Sequence, residues 1–143
     1  MKLDDKVRRN HIASPAEKLH YTFADCLAWD ESERVEIVDG KMFMMVPPSR
    51  FHQEILMELT RHLPTSLKGR TVRSYPAPFG MRLFENDGSA PEEIDTVVEL
   101  DIFVVCDKSK LDEHGRKGAP DLIMEILSPS SLRYNRLIEL NLY

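Results

Sequence analysis

Two carboxylates interrupt apolar stretches of this sequence, and their positions suit chemistry better than packing. Asp101 stands in the segment ELDIFVV, and Glu125 stands in LIMEIL. Burying a carboxylate is costly unless the group is paired or bound to a metal, and packing alone would favour valine or isoleucine at both positions. On neighbouring strands, the two acids would supply the oxygen ligands that Mg²⁺ prefers. The alternative is that each acid lies on the solvent-facing side of its strand.

Three further polar residues extend this set of candidates. Glu36 lies in the short apolar segment VEIVDG, and His52 and Gln53 lie together near the start of a predicted helix. Strand alternation could equally leave Glu36 exposed, and a lone histidine is more often structural or solvated than catalytic. Asp121 stands four residues before Glu125, about 13 Å away along a strand that rises ~3.3 Å per residue. That separation is too long for one shared ion and predicts a strand-start residue at Asp121.

Several common catalytic and metal-binding motifs are missing from the sequence. It has no GxSxG elbow, no Walker loop and no GxGxxG loop, so serine hydrolases, P-loop NTPases and dinucleotide-binding enzymes lack support. No zinc site is predicted either, because the remaining histidines show no HxH, HExxH or zinc-finger spacing. These histidines are His11, His20, His62 and His114.

The length of the chain fits a single domain, and its net negative charge argues against a protein that coats nucleic acid. The chain has 143 residues and a formal net charge of −5, whereas bulk electrostatic binding to DNA needs a basic surface. Short basic runs do occur, but they fit a solvated surface better than a phosphate track. Cys26 and Cys106 have apolar neighbours and no CxxC partner, which is typical of reduced, buried thiols. With a polar N-terminus and no long apolar run, we expect a soluble, cytoplasmic protein without a membrane span.

The elements that would position the candidate residues alternate between helices and strands. Thr22 and Asp25 resemble a capping box for a short helix to about Trp29. Asp39-Gly40 between two apolar runs is a strong signal for a β-hairpin. The other predicted elements are a helix from Ser49 that ends at Pro64, strands over 71–75, 79–84, 96–106 and 121–127, a charged excursion over 107–119, and a last helix over 131–143. This order predicts a mixed α/β (α+β) domain with helices packed on one sheet.

Four segments, taken in order, resemble one known family. They are RVEIVDGKMFMM, PPSRFHQEI, ELDIFVVCD and GAPDLIMEILSPSS. Their combination resembles the Uma-type restriction-endonuclease family of the PD-(D/E)xK nuclease superfamily, from about Tyr21 to Tyr143. The resemblance implies a restriction-endonuclease-like core, with a central mixed sheet flanked by helices. It also implies cleavage of DNA that depends on Mg²⁺ or Mn²⁺.

The resemblance further implies roles for individual residues. Asp101 and Glu125 look like the two metal-binding acids of the family, and the backbone carbonyl of Ile126 would add a ligand. Residues that face the same cleft in the family correspond here to the accessory acid Glu36 and to the helical pair His52 and Gln53.

Two features depart from the family pattern on the predicted last helix. Glu139 stands where the family has a lysine that would position the attacking water and stabilise developing negative charge, and Asn135 stands where aspartate is usual. The alternative to a nuclease is therefore an inactive relative that binds metal, nucleic acid or a protein partner. A folded domain without any site is a third hypothesis.

The family also continues beyond the predicted last helix. We therefore expect residues 19–143 to form one nuclease-like domain that lacks its last strand, after a flexible arm over residues 1–18. An edge strand left open in this way would favour pairing with another chain, so the sequence predicts either poor stability or an oligomer such as a homodimer.

Overall fold

A β-hairpin forms one edge of the main sheet in the computed structural model, which describes residues 18–30 and 33–128. Its strands are β1 (Val35–Val38) and β2 (Lys41–Met44). Asp39 and Gly40 at the turn have φ angles of 49° and 74°. Positive φ at both central residues is what a two-residue hairpin turn requires, so the predicted hairpin is confirmed.

The main sheet has six strands within the described residues. Besides β1 and β2, they are β4 (Gly80–Arg82), β5 (Val97–Glu99), β7 (Leu111–Asp112) and β8 (Gly115–Lys117). Their order across the sheet is β2-β1-β5-β4-β8-β7. β4 and β8 run parallel, and the other pairs run antiparallel. A Cβ added to Gly115 would lie 2.0 Å from the carbonyl oxygen of Gly80, so the parallel pair depends on this glycine. The charged excursion predicted over 107–119 thus contains a hairpin that joins the sheet.

A second, three-stranded antiparallel sheet contains β3 (Arg73–Pro76), β6 (Ile102–Val105) and β9 (Leu122–Met124), in the order β3-β6-β9. The prediction of a single strand over 96–106 in a single sheet is wrong. The chain leaves the main sheet after β5 and enters the second sheet at β6 through a bend at Leu100 and Asp101. At this bend the backbone N–H of Asp101 donates to a side-chain oxygen of Glu125.

Two α-helices lie in the described part of the chain. Helix α1 (Phe23–Ala28) starts as predicted, with the Thr22 N–H donating to Asp25 Oδ2 at 2.8 Å. Helix α2 (Arg50–Ser66) packs its apolar side on β6 and on the segment after β9, through the cluster Leu56, Ile102 and Ile126. The prediction that α2 ends at Pro64 is wrong. A proline in the last turn removes one N–H only, and the Leu67 N–H still donates to the Leu63 carbonyl at 3.0 Å.

The main core lies between the two sheets. Its buried members come from β1, β4, β5 and β6 and from the residues that directly follow β4 and β5, and include Met81, Leu100 and Phe103, each at 0% exposure. This arrangement is the predicted mixed α+β fold with a central mixed sheet. None of the described helices is long and apolar enough to cross a membrane. The predicted arm before Lys18 and the predicted last helix, with Asn135 and Glu139, lie outside the described residues.

Candidate active site

The site lies in a cavity of ≈ 490 Å³ between the β1–β2 hairpin, the start of α2, and the ends of β5 and β9. Its position follows from the bend in the chain between β5 and β6, which turns both acidic segments towards the same space. The six residues predicted to form the site all line this cavity: Glu36, His52, Gln53, Asp101, Glu125 and Ile126.

Asp101 and Glu125 meet at the base of the cavity. β6 and β9 pair so that Ile102 lies opposite Met124, which places Asp101 and Glu125 at the same end of the two strands. The Asp101 N–H donates to Glu125 Oε1 at 3.2 Å, and the Ile126 N–H donates to Asp101 Oδ2 at 2.7 Å. Backbone N–H groups thus hold one oxygen of each carboxylate in place, which is the type of support that stabilises an ionised acid.

His52 reaches the same carboxylate from helix α2. Its Nε2 lies 3.0 Å from Asp101 Oδ1, with the two side chains only 15% and 17% exposed. The helix start holds His52 in position, because its N–H donates to Ser49 Oγ at 3.2 Å and Leu56, one turn later, is buried against Ile102. Gln53 also lines the cavity, although it is an exposed residue of the helix.

Glu36 approaches the cavity from β1. It is 4% exposed, so the alternative that strand alternation leaves it in solvent is wrong. β1 pairs with β5 in antiparallel register, Ile37 opposite Val97, and this pairing lets Glu36 Oε1 accept the N–H of Glu99 at 2.9 Å. A buried carboxylate with a backbone donor is thereby fixed beside the other acids.

Glu99 and Arg34 also line the cavity and were not predicted from the sequence. Arg34 donates from Nε and Nη2 to Glu99 Oε2, at 3.1 and 2.6 Å. Alternation along ELD could have revealed Glu99, since residues two apart on a strand point to the same face. Arg34 stands before β1 without a comparable local signal. Asp121 accepts the Cys106 N–H at 2.8 Å and is absent from the cavity lining, as expected for a strand-start residue.

A family model described as "putative restriction endonuclease", Uma2, matches residues 23–143. The chain belongs to the Uma2 family. This match confirms the resemblance drawn from the four sequence segments. No curated protein matches the chain.

A solved structure similar to this Uma2 protein is a crystal structure described as a putative nuclease of the DUF820 group from Anabaena variabilis. It aligns with a TM-score of 0.59 at 21% sequence identity, and the alignment covers 81% of this chain and 64% of that one. At this identity the likeness shows a shared fold. This chain accounts for about two-thirds of the neighbour's length.

The donor atoms of the Uma2 site suit a hard cation better than a soft one. Within residues 18–30 and 33–128, no group of three or more His, Cys, Asp or Glu side chains is placed to hold a metal ion. Mg²⁺ commonly binds proteins through one or two carboxylates and keeps several waters, whereas structural zinc takes four nitrogen or sulfur ligands. The oxygens that Asp101 and Glu125 present are ligands of the kind that Mg²⁺ takes.

Proposed function

We propose that this Uma2 protein is a nuclease that hydrolyses DNA phosphodiester bonds with the help of a divalent metal ion. The observation that carries the proposal is the meeting of Asp101 and Glu125 at one end of β6 and β9, where each has an oxygen held by a backbone N–H. Membership of a family described as a putative restriction endonuclease also supports a nuclease function.

Asp101, Glu125 and the backbone carbonyl of Ile126 are the groups that would hold Mg²⁺ or Mn²⁺. A bound ion of this kind polarises a scissile phosphate and lowers the pKa of an attacking water. Glu36, nearly fully buried in the same cavity, would serve as an accessory acid.

The charges that line the cavity suggest that a phosphodiester would bind there only together with a cation. Four carboxylates line it, those of Glu36, Glu99, Asp101 and Glu125. Arg34 is the one lysine or arginine among the described lining residues, and its guanidinium already bonds to Glu99. A phosphodiester entering this cavity would meet net negative charge, which a divalent ion would offset. Arg34 would then be the protein's own donor to a phosphate oxygen.

The proposal is tested by nicking of supercoiled plasmid in Mg²⁺, in Mn²⁺ and in EDTA. We expect cleavage by the wild type with either metal, no cleavage in EDTA, and loss of cleavage in Glu125→Gln. Glu113→Gln is the matched control, because Glu113 is an exposed glutamate in the β7–β8 turn, outside the cavity lining. Metal-dependent cleavage that survives in Glu125→Gln would show that the nuclease site lies elsewhere.

One sequence observation favours the alternative of an inactive relative that binds metal or nucleic acid. Glu139 stands where the family has lysine, and a glutamate there would add negative charge where the transition state needs positive charge. This alternative predicts Mn²⁺ binding without cleavage by the wild type, and cleavage in Glu139→Lys. If Glu139→Lys also fails to cleave DNA, the inactivity of the wild type has a cause other than the missing lysine.

A further inference from the structure

One side of the cavity is formed by six consecutive uncharged residues, which we call the apolar wall: Phe43, Met44, Met45, Val46, Pro47 and Pro48. Within it, Met44 and Val46 are 60% and 81% exposed. Single exposed apolar side chains are ordinary on protein surfaces, whereas a contiguous exposed group beside a cavity is typical of a binding site. The metal chemistry proposed for the acids gives this wall no role.

The apolar wall begins beside the acids. In the register of the β1–β2 hairpin, Phe43 lies opposite Glu36, and residues opposite each other in an antiparallel pair have Cβ atoms roughly 4.5–5.5 Å apart on one face of the sheet. Two residues later, the Met45 N–H donates to the Arg34 carbonyl at 3.0 Å. The wall is thus held against the segment that carries Arg34 and Glu36, and a group bound at the acids has the wall next to it.

The acids themselves are recessed. The side chains of Asp101 and Glu99 are 17% and 18% exposed, and Glu36 is nearly fully buried. The cavity volume of ≈ 490 Å³ lies in the range of roughly 300–1,000 Å³ that holds small ligands, so a nucleotide can enter the cavity whereas a duplex cannot. A phosphodiester reaches these acids most easily from a strand whose nucleotides are not held in a duplex.

The chemistry of the apolar wall matches the part of DNA that a duplex hides. The faces of the bases are flat and apolar, and they are covered by stacking in a duplex but open to side chains in an unpaired strand. Charge alone would supply little affinity, because Arg34 is the one lysine or arginine among the described lining residues and the chain has a net charge of −5. Contact with a base would supply affinity that the phosphates do not.

We infer that the apolar wall binds the base next to the scissile phosphate, and that single-stranded or locally unpaired DNA is the preferred substrate. This inference rests on the proposed function of the site and gives it a substrate class. Every base has such a face, so the wall selects unpaired strands and not a particular sequence. Met44 and Val46 carry the contact, because their side chains are the exposed aliphatic part of the wall.

The double substitution Met44→Ser with Val46→Ser, called the wall variant, tests this role. It removes apolar surface and adds no charge, and since both side chains are exposed, the fold should be retained. The matched control is Leu19→Ser with Met57→Ser, because Leu19 and Met57 are also exposed apolar residues but lie outside the cavity lining. Urea unfolding of the three proteins checks that the fold is unchanged.

The first readout is binding of the full chain to two single strands, measured by fluorescence anisotropy with Ca²⁺ in place of Mg²⁺. One strand is oligothymidylate, and the other is an abasic oligomer of the same length and charge. We expect the wild type and the control variant to bind oligothymidylate roughly 5–10-fold more tightly than the abasic strand, and the wall variant to bind both strands alike. Equal affinity of the wild type for the two strands, or binding of neither, would overturn the inference.

The second readout compares unpaired with paired DNA. We expect the wild type to bind the duplex of oligothymidylate with oligoadenylate about fivefold more weakly than oligothymidylate alone, and the wall variant to lose this difference. Duplex binding by the wild type that is as tight as single-strand binding would contradict the preference for unpaired DNA.

A second copy of the chain is the other occupant that would cover an apolar wall, and light scattering distinguishes it. A wild type that is dimeric and a wall variant that is monomeric, with the same affinity for oligothymidylate, would assign the wall to an interface between copies and overturn the inference.

Failure of the proposed function would appear differently. If the wild type does not nick plasmid with Mg²⁺ or Mn²⁺ but prefers oligothymidylate to the abasic strand through the wall, the base contact stands in a relative that binds DNA without cleaving it. If the wild type nicks plasmid but does not distinguish the two strands, the nuclease function stands and the role of the apolar wall is wrong.

Discussion

Asp101, just before β6, and Glu125, just after β9, are linked by two hydrogen bonds in which each carboxylate accepts a backbone N–H from the other's segment. The Asp101 N–H donates to Glu125 Oε1, while the Ile126 N–H, one residue after Glu125, donates to Asp101 Oδ2. Each carboxylate thus stabilises the backbone of the other's segment. The two candidate metal ligands therefore also link the start of β6 to the segment that follows β9.

Charge-removing variants of the two acids should therefore differ in stability. Glu125→Gln keeps a carbonyl oxygen that can accept the Asp101 N–H. Asp101→Asn can keep a carbonyl oxygen for the Ile126 N–H, but it then turns its NH₂ group towards His52 Nε2, which lies 3.0 Å from Asp101 Oδ1 and loses its charged partner. We expect urea unfolding in EDTA to show a loss of about 1–3 kcal/mol for Asp101→Asn and less than about 1 kcal/mol for Glu125→Gln. Both variants should bind Mn²⁺ at least about tenfold more weakly. Equal stabilities would show that the contact between Asp101 and His52 contributes little to the stability of the fold.

Arg34 should contribute to DNA affinity through one phosphate contact. Neutralising one phosphate contributes about 0.9 to the slope of log Kd against log salt concentration for duplex DNA. We expect Arg34→Gln to reduce this slope by about one, and Arg34→Lys to preserve it, in anisotropy titrations of a short duplex with Ca²⁺ in place of Mg²⁺. Arg61→Gln is the control, since Arg61 is exposed on α2 and bonds to Glu58. An unchanged slope in Arg34→Gln would mean that the guanidinium only holds Glu99.

Gly115→Ala should destabilise the main sheet. Gly115 has φ 131°, and an added Cβ would lie 2.0 Å from the Gly80 carbonyl oxygen. Gly69→Ala is the control, because Gly69 also has positive φ (82°) but has open space around the added Cβ. Each variant places alanine in a sparsely populated backbone region at a cost of about 1–3 kcal/mol. We expect Gly115→Ala to lose roughly 2 kcal/mol more than Gly69→Ala, because its Cβ also clashes with Gly80. Equal free energies of unfolding would show that β8 moves away from β4 without loss.

Acid should weaken the contact between Asp112 and Arg82. Burial raises the pKa of Asp112, but hydrogen bonds and charge from Arg82, with the His114 N–H, outweigh it and hold the pKa below its ordinary 3.8. A lowered folded-state pKa adds stability above pH 3.8 that is lost as the pH falls through the folded value. The difference in unfolding free energy between the wild type and Asp112→Asn should therefore be largest near neutral pH and shrink below pH 3.8.

The control for this pH dependence is Asp87→Asn, because the Asp87 side chain is 89% exposed, 3.7 Å from Lys110. The unfolding free energy of Asp87→Asn should differ little from that of the wild type at every pH, as for a surface ion pair. If the difference in unfolding free energy between the wild type and Asp112→Asn stays constant down to pH 2, the lowered pKa of Asp112 does not come from Arg82.

The sequence by itself determined the features that depend on local order. The Asp39-Gly40 turn, the capped start of α1 and most of the apolar side of α2 were all predicted, since each follows from residues a few positions apart. The candidate acids Asp101 and Glu125 were also visible, because a charged residue within an apolar run is itself a local signal.

Only the tertiary structure decided how these parts meet. The break between β5 and β6, the burial of Glu36 and the pairing of Arg34 with Glu99 were not predicted correctly or at all. Each rests on partners far apart in the chain: 24 residues from Asp101 to Glu125, 63 from Glu36 to Glu99, and 65 from Arg34 to Glu99. Local periodicity states which face of a strand a residue occupies, but the strand that covers that face is chosen by packing of the whole domain.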